Sequence, residues 1–107
     1  MIVRTWSATA TPNGGDAYRR YFEGTLLPRL HELDGFAGAY LLSRALDAGT
    51  ADTVELTTHT FWESEAAIRA FAGDDPGPSV VEPEARACLL SFDTVATHRE
   101  LWVDRGA

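Results

Sequence analysis

The sequence predicts one α+β domain spanning its 107 residues, with the ferredoxin-like order β-α-β-β-α-β and an antiparallel sheet. The first observation is the joint at 57–71, where the two-residue alternation of a strand changes into the helical spacing of apolar residues. The second is a similar joint in the first half of the chain, where 2–11 leads into 16–33. Two strand–helix–strand units in tandem produce this order.

The first unit is predicted as a strand, a helix and a return strand. Residues 2–10 alternate between two faces, and a turn at 11–15 precedes Asp16, the predicted helix N-cap. The helix carries one apolar stripe: Tyr18, Tyr21, Phe22, Leu26, Leu30 and Leu33. Pro28 lacks a backbone N–H and is predicted to kink this helix. The return strand is predicted at 36–44.

The second unit is predicted as a strand, a helix and a final strand. Ser64 is the predicted N-cap of its helix, and Gly73 is the predicted C-terminal cap. The predicted elements are a loop at 47–52 around Gly49, a strand at 54–62, the helix at 65–72, a loop at 74–79, a strand at 94–103 and a tail at 104–107. The stretch 80–92 is ambiguous and has the pattern of a short helix around 84–90.

Composition excludes several classes of function. The formal net charge is −7, from 16 acidic and 9 basic residues, so the surface repels nucleic-acid phosphates and anionic lipid. The single cysteine, Cys88, allows no internal disulfide and no cysteine-based metal site. No apolar run approaches the ~20 residues of a membrane span, and no signal-peptide core opens the chain. These features predict a cytoplasmic protein with neither nucleic-acid nor membrane partners.

Apolar residues occur on both faces of the predicted strands. The bulky ones are Trp6, Tyr40, Phe61 and Trp102, and the opposite faces add Val3, Leu41, Leu56 and Val95. A sheet that is apolar on both faces needs a cover on both, and the chain supplies only two helices for one of them. The sequence therefore predicts a homodimer whose sheets pack face to face.

Four segments together resemble the antibiotic biosynthesis monooxygenase family and, more closely, a poorly characterised bacterial branch of it. They are MIVRTW at the start, GTLLP in the first helix, FWESEAAIRAFAG at the joint and TVATHRELWV at the end. The resemblance covers nearly the whole chain. It implies a dimeric α+β barrel with a pocket between sheet and helices in each subunit. Members of the family include oxygenases that act on polycyclic aromatic phenols without metal or flavin, so no cofactor is expected.

The wider family also includes haem-degrading enzymes, and the resemblance argues against that activity here. That branch uses an asparagine on the first strand, with a tryptophan and a histidine in the second helical region. The comparable positions here hold Ser7 or Trp6, Phe71 and the loop after Asp74, and no histidine lies between His59 and His98. The haem-degrading residue set is therefore absent.

Histidines are the natural acid–base candidates, since only their unperturbed pKa lies near neutrality. His59 lies in the middle of the third predicted strand, and His98 lies in the last strand on the same face as Glu100 and Trp102. Glu100 would orient the His98 ring as a base, or the two would form a structural pair within the dimer interface. His31 is predicted to be a surface residue. The spacing of the three histidines predicts no metal site.

Aromatic residues offer walls for a flat apolar ligand, and ordinary core packing is the alternative interpretation. Those that project from the helices or stand at the joint are Tyr18, Tyr21, Phe22, Trp62 and Phe71, with Ser7 a further candidate. Arg4 is a charge in mid-strand, which should be paired or functional. Glu100 is its predicted partner if the first and last strands adjoin.

The leading functional prediction is a cofactor-independent oxygenase that binds a neutral aromatic or quinol-type molecule between sheet and helices. His59 or His98 would remove a phenolic proton, and the electron-rich product would reduce dioxygen directly. Two alternatives stay open. One is a non-catalytic dimer that binds a ligand or serves a biosynthetic pathway as an accessory, and the other is an isomerase or cyclase on the same barrel.

Overall fold

One antiparallel sheet with helices on one face makes up the fold, as seen in a computed structural model that describes residues 1–48 and 51–105. The elements are β1 (Ile2–Ala10), α1 (Pro12–Tyr21), a π-helical segment (Phe22–Leu26), α2 (Leu27–His31), β2 (Phe36–Ala48), β3 (Ala51–Trp62), α3 (Glu65–Ala72), α4 (Pro83–Arg86), β4 (Ser91–Phe92) and β5 (Thr97–Glu100). The predicted α+β, ferredoxin-like class is confirmed. None of the described helices is long and apolar enough to cross a membrane.

The sheet has the strand order β2-β3-β1-β4, and β5 pairs with β1 as well. The last strand is shorter than the predicted 94–103, since β5 spans only Thr97–Glu100, and β4 lies before that range in the stretch that the sequence left ambiguous. Between β4 and β5, residues 94–96 form backbone hydrogen bonds with residues 77–79 instead of with β1. Ser79 N–H donates to Thr94 O at 2.9 Å, and Ala96 N–H donates to Gly77 O at 2.8 Å. The segment 76–81, which we call the strap, therefore takes hydrogen bonds that a continuous strand would have given to β1.

The first helix begins earlier than predicted. Thr11 is its N-cap, since its side-chain oxygen accepts a hydrogen bond from Gly14 N–H at 3.0 Å, and Pro12 occupies the first turn. Asp16 instead forms ion pairs with Arg19 and Arg20 on the helix surface. Glycine here is a packing residue and not a turn signal, because a Cβ on Gly14 would lie 2.4 Å from the Cys88 carbonyl oxygen.

The irregularity predicted at Pro28 takes the form of the π-helical segment just before it. Leu27 N–H donates to the carbonyl of Phe22, a bond that spans five residues instead of four. Pro28 has no N–H for the Gly24 carbonyl, and its ring would press on that carbonyl in an unbroken α-helix. Five-residue bonding widens the turn at this point.

The other predicted bounds shift by small amounts. β2 and β3 extend further into their hairpin than predicted, with Asp47 paired to Asp52, whereas Gly49 lies outside the described residues. The α3 helix is confirmed, with Ser64 Oγ accepting from Ala67 N–H at 3.1 Å and Gly73 at φ 89°. The short helix in the ambiguous stretch is α4, which is shorter than the predicted 84–90.

Side chains on the helix-covered inner face of the sheet form two buried clusters. One centres on Trp62, with Leu30, Ala67 and Ile68, and the other surrounds Trp6 and Tyr18. None of the described helices packs on the opposite, outer face, which includes Tyr40, 64% exposed, and Leu42, 46% exposed. The inner face therefore holds the core, and the outer face presents apolar side chains to solvent in the single chain.

Candidate active site between the sheet and the helices

A small cavity lies between the inner face of the sheet and the first helix, closed at one side by the strap. Its volume is about 40 Å³, room for a few water molecules, whereas ligand pockets span ~300–1,000 Å³. The lining residues are Arg4, Trp6, Tyr18, Tyr21, Phe22, Leu26, Leu30, Thr58, Thr60, Phe71, Ser79, Val80, Val81 and Ala85. Strap residues contribute three of these side chains, so movement of the strap would enlarge the cavity.

Aromatic rings line the helix side of this cavity. Tyr18 stacks on Trp6 with ring centroids 5.9 Å apart, and it also contacts Tyr21 and Phe22 at 5.7 and 6.4 Å. Burial raises the pKa of the Tyr18 phenol, and the neighbouring Tyr21 adds to the effect. Burial likewise raises the pKa of Tyr21, with Glu82 the next cause. Both phenols therefore stay neutral at physiological pH and can donate hydrogen bonds.

Arg4 projects from β1 into the same space and is only 5% exposed. Its Nη1 donates to Pro76 O and lies 2.9 Å from His98 Nε2, while its Nη2 donates to Pro78 O at 3.1 Å. Its Cζ lies 5.8 Å from the centre of the Phe71 ring, within the range of a cation–π contact. Arg4 thus joins β1, β5, α3 and the strap at one point.

The predicted pairing of Arg4 with Glu100 is wrong. In the β1–β5 register Arg4 lies opposite His98, while Glu100 lies opposite Ile2, two residues further along the strand. A guanidinium has donors only, so His98 Nε2 must accept from Arg4, and the ring proton then belongs on Nδ1. Burial lowers the pKa of His98, and the Arg4 charge lowers it further. His98 is therefore a neutral acceptor that faces a permanent cation.

The other predicted base, His59, lies on the outer face of the sheet. It is paired in register with Thr5 on β1 and with Tyr40 on β2. Ser7 lies on the same face, with its hydroxyl 2.9 Å from that of Thr57. The structure therefore separates these two candidates from the cavity and does not bring the two strand histidines together.

Trp62 stands behind the cavity wall and does not line it. It is fully buried, stacks on Phe71 at 5.7 Å and donates its indole N–H to Thr60 Oγ1 at 2.8 Å. Phe71 faces the cavity from α3, so Trp62 supports one of the lining rings. Of the predicted aromatic residues, the cavity brings together Tyr18, Tyr21, Phe22 and Phe71.

Sequence reasoning noticed Arg4 but did not place it in the site. The signal was present, because a charged residue alternates there with Trp6 and Ala8 on a face that is otherwise apolar. The backbone carbonyls of the strap left no such signal, since any residue supplies a carbonyl. Within 1–48 and 51–105, no group of three histidine, cysteine, aspartate or glutamate side chains is arranged to hold a metal ion.

No protein-family model matches the chain, and no curated protein matches it either. Solved structures do match, at low sequence identity. An antibiotic biosynthesis monooxygenase from Bacillus cereus shares 16% identity with a TM-score of 0.62, covering 99% of this chain and 97% of its own. A similar protein from Deinococcus radiodurans shares 12% identity with a TM-score of 0.58, covering 100% and 98%.

A third similar structure holds a ligand. It is the monooxygenase from the gene ActVA-Orf6 of Streptomyces coelicolor in complex with nanaomycin D, at 22% identity and a TM-score of 0.57. The match covers 99% of this chain and 88% of that one. Together these matches confirm, at the level of fold, the resemblance to antibiotic biosynthesis monooxygenases that the sequence indicates.

Proposed function

We propose that this protein is a cofactor-independent, monooxygenase-like enzyme that acts on an aromatic or quinol-type molecule at the inner-face cavity. The observation that carries the proposal is the Arg4–His98 contact beside neutral phenols and aromatic rings. Flat aromatic walls with a few convergent polar groups suit a phenolic ring. The fold shared with monooxygenases, one of which binds nanaomycin D, supports the same substrate class.

His98 is the better placed of the two candidate bases, because it contacts a cavity-lining residue and His59 does not. In the proposed step, His98 Nε2 takes the phenolic proton while Arg4 turns its N–H toward the new phenolate oxygen. The phenolate then transfers electrons to dioxygen. One oxygen atom enters the ring to form a quinone and the other leaves as water, so the reaction needs no added reductant.

Oxygen uptake with a panel of naphthols and hydroquinones tests the proposal. We expect uptake above the buffer rate for at least one compound, and a loss of about 10²-fold or more in His98→Ala, the usual contribution of a general base. His59→Ala is the matched variant, and we expect it to retain activity. Loss of activity in His59→Ala alone would move the reaction to the outer face. No uptake with any compound would reject the oxygenase.

We also propose that the outer face binds a second copy of the chain. Tyr40 and Phe61 meet edge to face at 5.6 Å there, and Tyr40 and Leu42 remain exposed in the single chain. Burial against an identical sheet would remove this apolar surface from water. Light scattering at micromolar concentration should give twice the chain mass, and Tyr40→Glu with Leu42→Glu should reduce it to one. A wild-type mass of one chain would reject the dimer.

The small volume of the cavity favours a second candidate, a ligand-binding or accessory dimer without catalysis. An isomerase or cyclase would use the same neutral phenols and His98 for proton transfer. Calorimetry together with oxygen uptake distinguishes the ligand-binding dimer from the oxygenase, because the dimer would bind a ligand without taking up oxygen. Turnover of a ligand under anaerobic conditions would instead identify the isomerase or cyclase.

A further inference from the structure

Five arginines on the surface of this protein form ion pairs with carboxylates, while the buried Arg4 has no carboxylate partner among the described residues. The paired arginines are Arg19, Arg20, Arg29, Arg44 and Arg69. No carboxylate of the described residues lies within 4.0 Å of the Arg4 guanidinium, although the chain holds 16 acidic residues. Surface ion pairs contribute little to stability, whereas a buried charge without a counter-ion is costly. Arg4, the arginine for which an unpaired charge costs the most free energy, therefore has no carboxylate counter-ion among the described residues.

The acceptors that Arg4 does have are neutral and leave it incompletely bonded. They are the carbonyl oxygens of Pro76 and Pro78 and the Nε2 atom of His98. A guanidinium has five N–H donors, so two of them, on Nε and Nη2, have no acceptor among residues 1–48 and 51–105. A planar fork with free donors is suited to an oxyanion, which it binds through two parallel hydrogen bonds.

The surroundings of Arg4 limit where such an oxyanion can come from. Beyond His98 lies an open groove of about 540 Å³ that is lined by three carboxylates, those of Glu63, Glu65 and Glu100, and by one arginine, Arg99. The excess of negative charge disfavours an anion there. The cavity on the other side is lined by rings, aliphatic side chains, hydroxyls and the strap, and Arg4 is the only charged residue among the described residues that line it. An anionic ligand is therefore favoured on the cavity side.

We infer that Arg4 is an anion anchor and that the cavity takes a planar aromatic ligand bearing one oxyanion, a carboxylate or a phenolate. The inference rests on the proposed function and narrows its substrate class to anionic aromatic molecules, in place of the neutral ones that the sequence predicted. The oxyanion accepts from the free N–H groups on Nε and Nη2 of Arg4, and outward movement of the strap enlarges the cavity for the ring. The ring then packs among Trp6, Tyr18 and Phe71.

Two matched pairs of ligands test this inference by calorimetry at fixed salt. One is 2-naphthoate with 2-naphthamide, and the other is 2-hydroxy-1,4-naphthoquinone, anionic at neutral pH, with its 2-methoxy analogue. We expect at least one anion to bind about tenfold or more tightly than its neutral partner. The carboxylate pair and the hydroxyquinone pair also distinguish the two sources of the oxyanion.

Substitutions of Arg4 test whether this residue causes the tighter binding of the anionic ligand. In Arg4→Met we expect the ratio of the two affinities to fall to about one, and in Arg4→Lys to take an intermediate value, because an ammonium keeps the charge without the fork. Arg99→Met is the matched control, since Arg99 lies opposite Val3 on the outer face and its loss changes net charge equally. We expect this control to keep the wild-type ratio.

Several results would overturn the inference. They are equal binding of acid and neutral partner by the wild type, no binding of any of the four compounds, and an equal loss for both partners in Arg4→Met, which marks a purely structural arginine. If Arg4→Met does not fold, the wild-type ratio and Arg4→Lys decide. Charge-selective binding without oxygen uptake upholds the anchor and rejects the oxygenase, while oxygen uptake without charge preference does the reverse.

Discussion

The two buried clusters on the inner face of the sheet differ in what they enclose. Around Trp62 the side chains of Leu30 and Ile68 are almost completely buried, and the indole N–H is satisfied by Thr60. Around Arg4 and Tyr18 the burial is nearly as complete, yet the space holds a cation and two phenols. One end is filled with apolar groups, and the other retains polar groups beside a cavity.

This difference indicates that the two clusters have different roles, one in stability and the other in ligand binding. Close apolar packing stabilises a small domain, and the Trp62 cluster consists of almost completely buried apolar side chains. Buried polar groups around a cavity stabilise the fold less, because each must recover the cost of leaving water. We therefore expect substitutions at the Trp62 end to change mainly the free energy of unfolding. Substitutions at the cavity end should change mainly ligand binding.

The largest expected effect is on stability at the filled end. Trp62→Ala removes a fully buried ring that stacks on Phe71, and it should lower the free energy of unfolding by about 3–5 kcal/mol. Trp102→Ala is the matched control, since Trp102 is 88% exposed and its loss should cost less than about 0.5 kcal/mol. Urea unfolding at one protein concentration measures both. Similar losses at the two positions would contradict the comparison.

An intermediate effect is expected at the cavity end. Tyr18→Phe keeps the ring but removes a hydroxyl, so the free energy of unfolding should change by about 1 kcal/mol or less. The affinity for an aromatic ligand should fall by about tenfold if that hydroxyl binds it. Tyr40→Phe makes the same change on the exposed outer face and should leave affinity unaltered. If Tyr18→Phe lowered stability but left affinity unchanged, Tyr18 would have a structural role like that of the Trp62 cluster, which would contradict the comparison.

The smallest effect is expected in the pH dependence of stability. Because burial and then Arg4 hold the pKa of His98 below its usual 6.5, the folded state binds a proton less readily than the unfolded state. Its contribution to stability is therefore present above pH 6.5 and is lost as the pH falls through the folded pKa. His98→Gln should be less sensitive to acid than the wild type between pH 7.5 and 5.

Titration of the His98 ring by NMR measures the same coupling directly. We expect a midpoint below 6.5 in the wild type and a higher one in Arg4→Met, where the neighbouring cation is gone. A midpoint at or above 6.5 in the wild type would show that the ring is free of Arg4. In that case the contact between Arg4 on β1 and His98 on β5 would not contribute to the polar groups around the cavity.

Much of the fold was predictable because it depends on local patterns. The alternation in β1 and the Ser64 and Gly73 caps of α3 are signals within a few residues, and the structure confirms them. The start of the first helix was not predictable in the same way. Gly14 resembles a turn residue in sequence, but its role depends on the carbonyl of Cys88, which is distant along the chain.

The candidate site was predictable only in part, and for the same reason. The apolar stripe of the first helix pointed to Tyr18 and Phe22 as candidate ligand contacts, and both residues line the cavity. Which face each histidine occupies depends on strand register, and the alternation within one strand does not reveal what covers either side. The separation of His59 from His98 therefore emerged only from the pairing of β3 and β5 with β1.

By itself, the sequence determined the α+β class, the strand–helix joints and the identity of the aromatic stripe, because periodicity and capping are local properties of the chain. Only the tertiary structure decided that the last strand is confined to Thr97–Glu100, that the strap closes the cavity and that Arg4 contacts His98 and two strap carbonyls. Those contacts join residues about 70 to 95 positions apart, and backbone carbonyls carry no side-chain signature. Their geometry exists only once the sheet has formed.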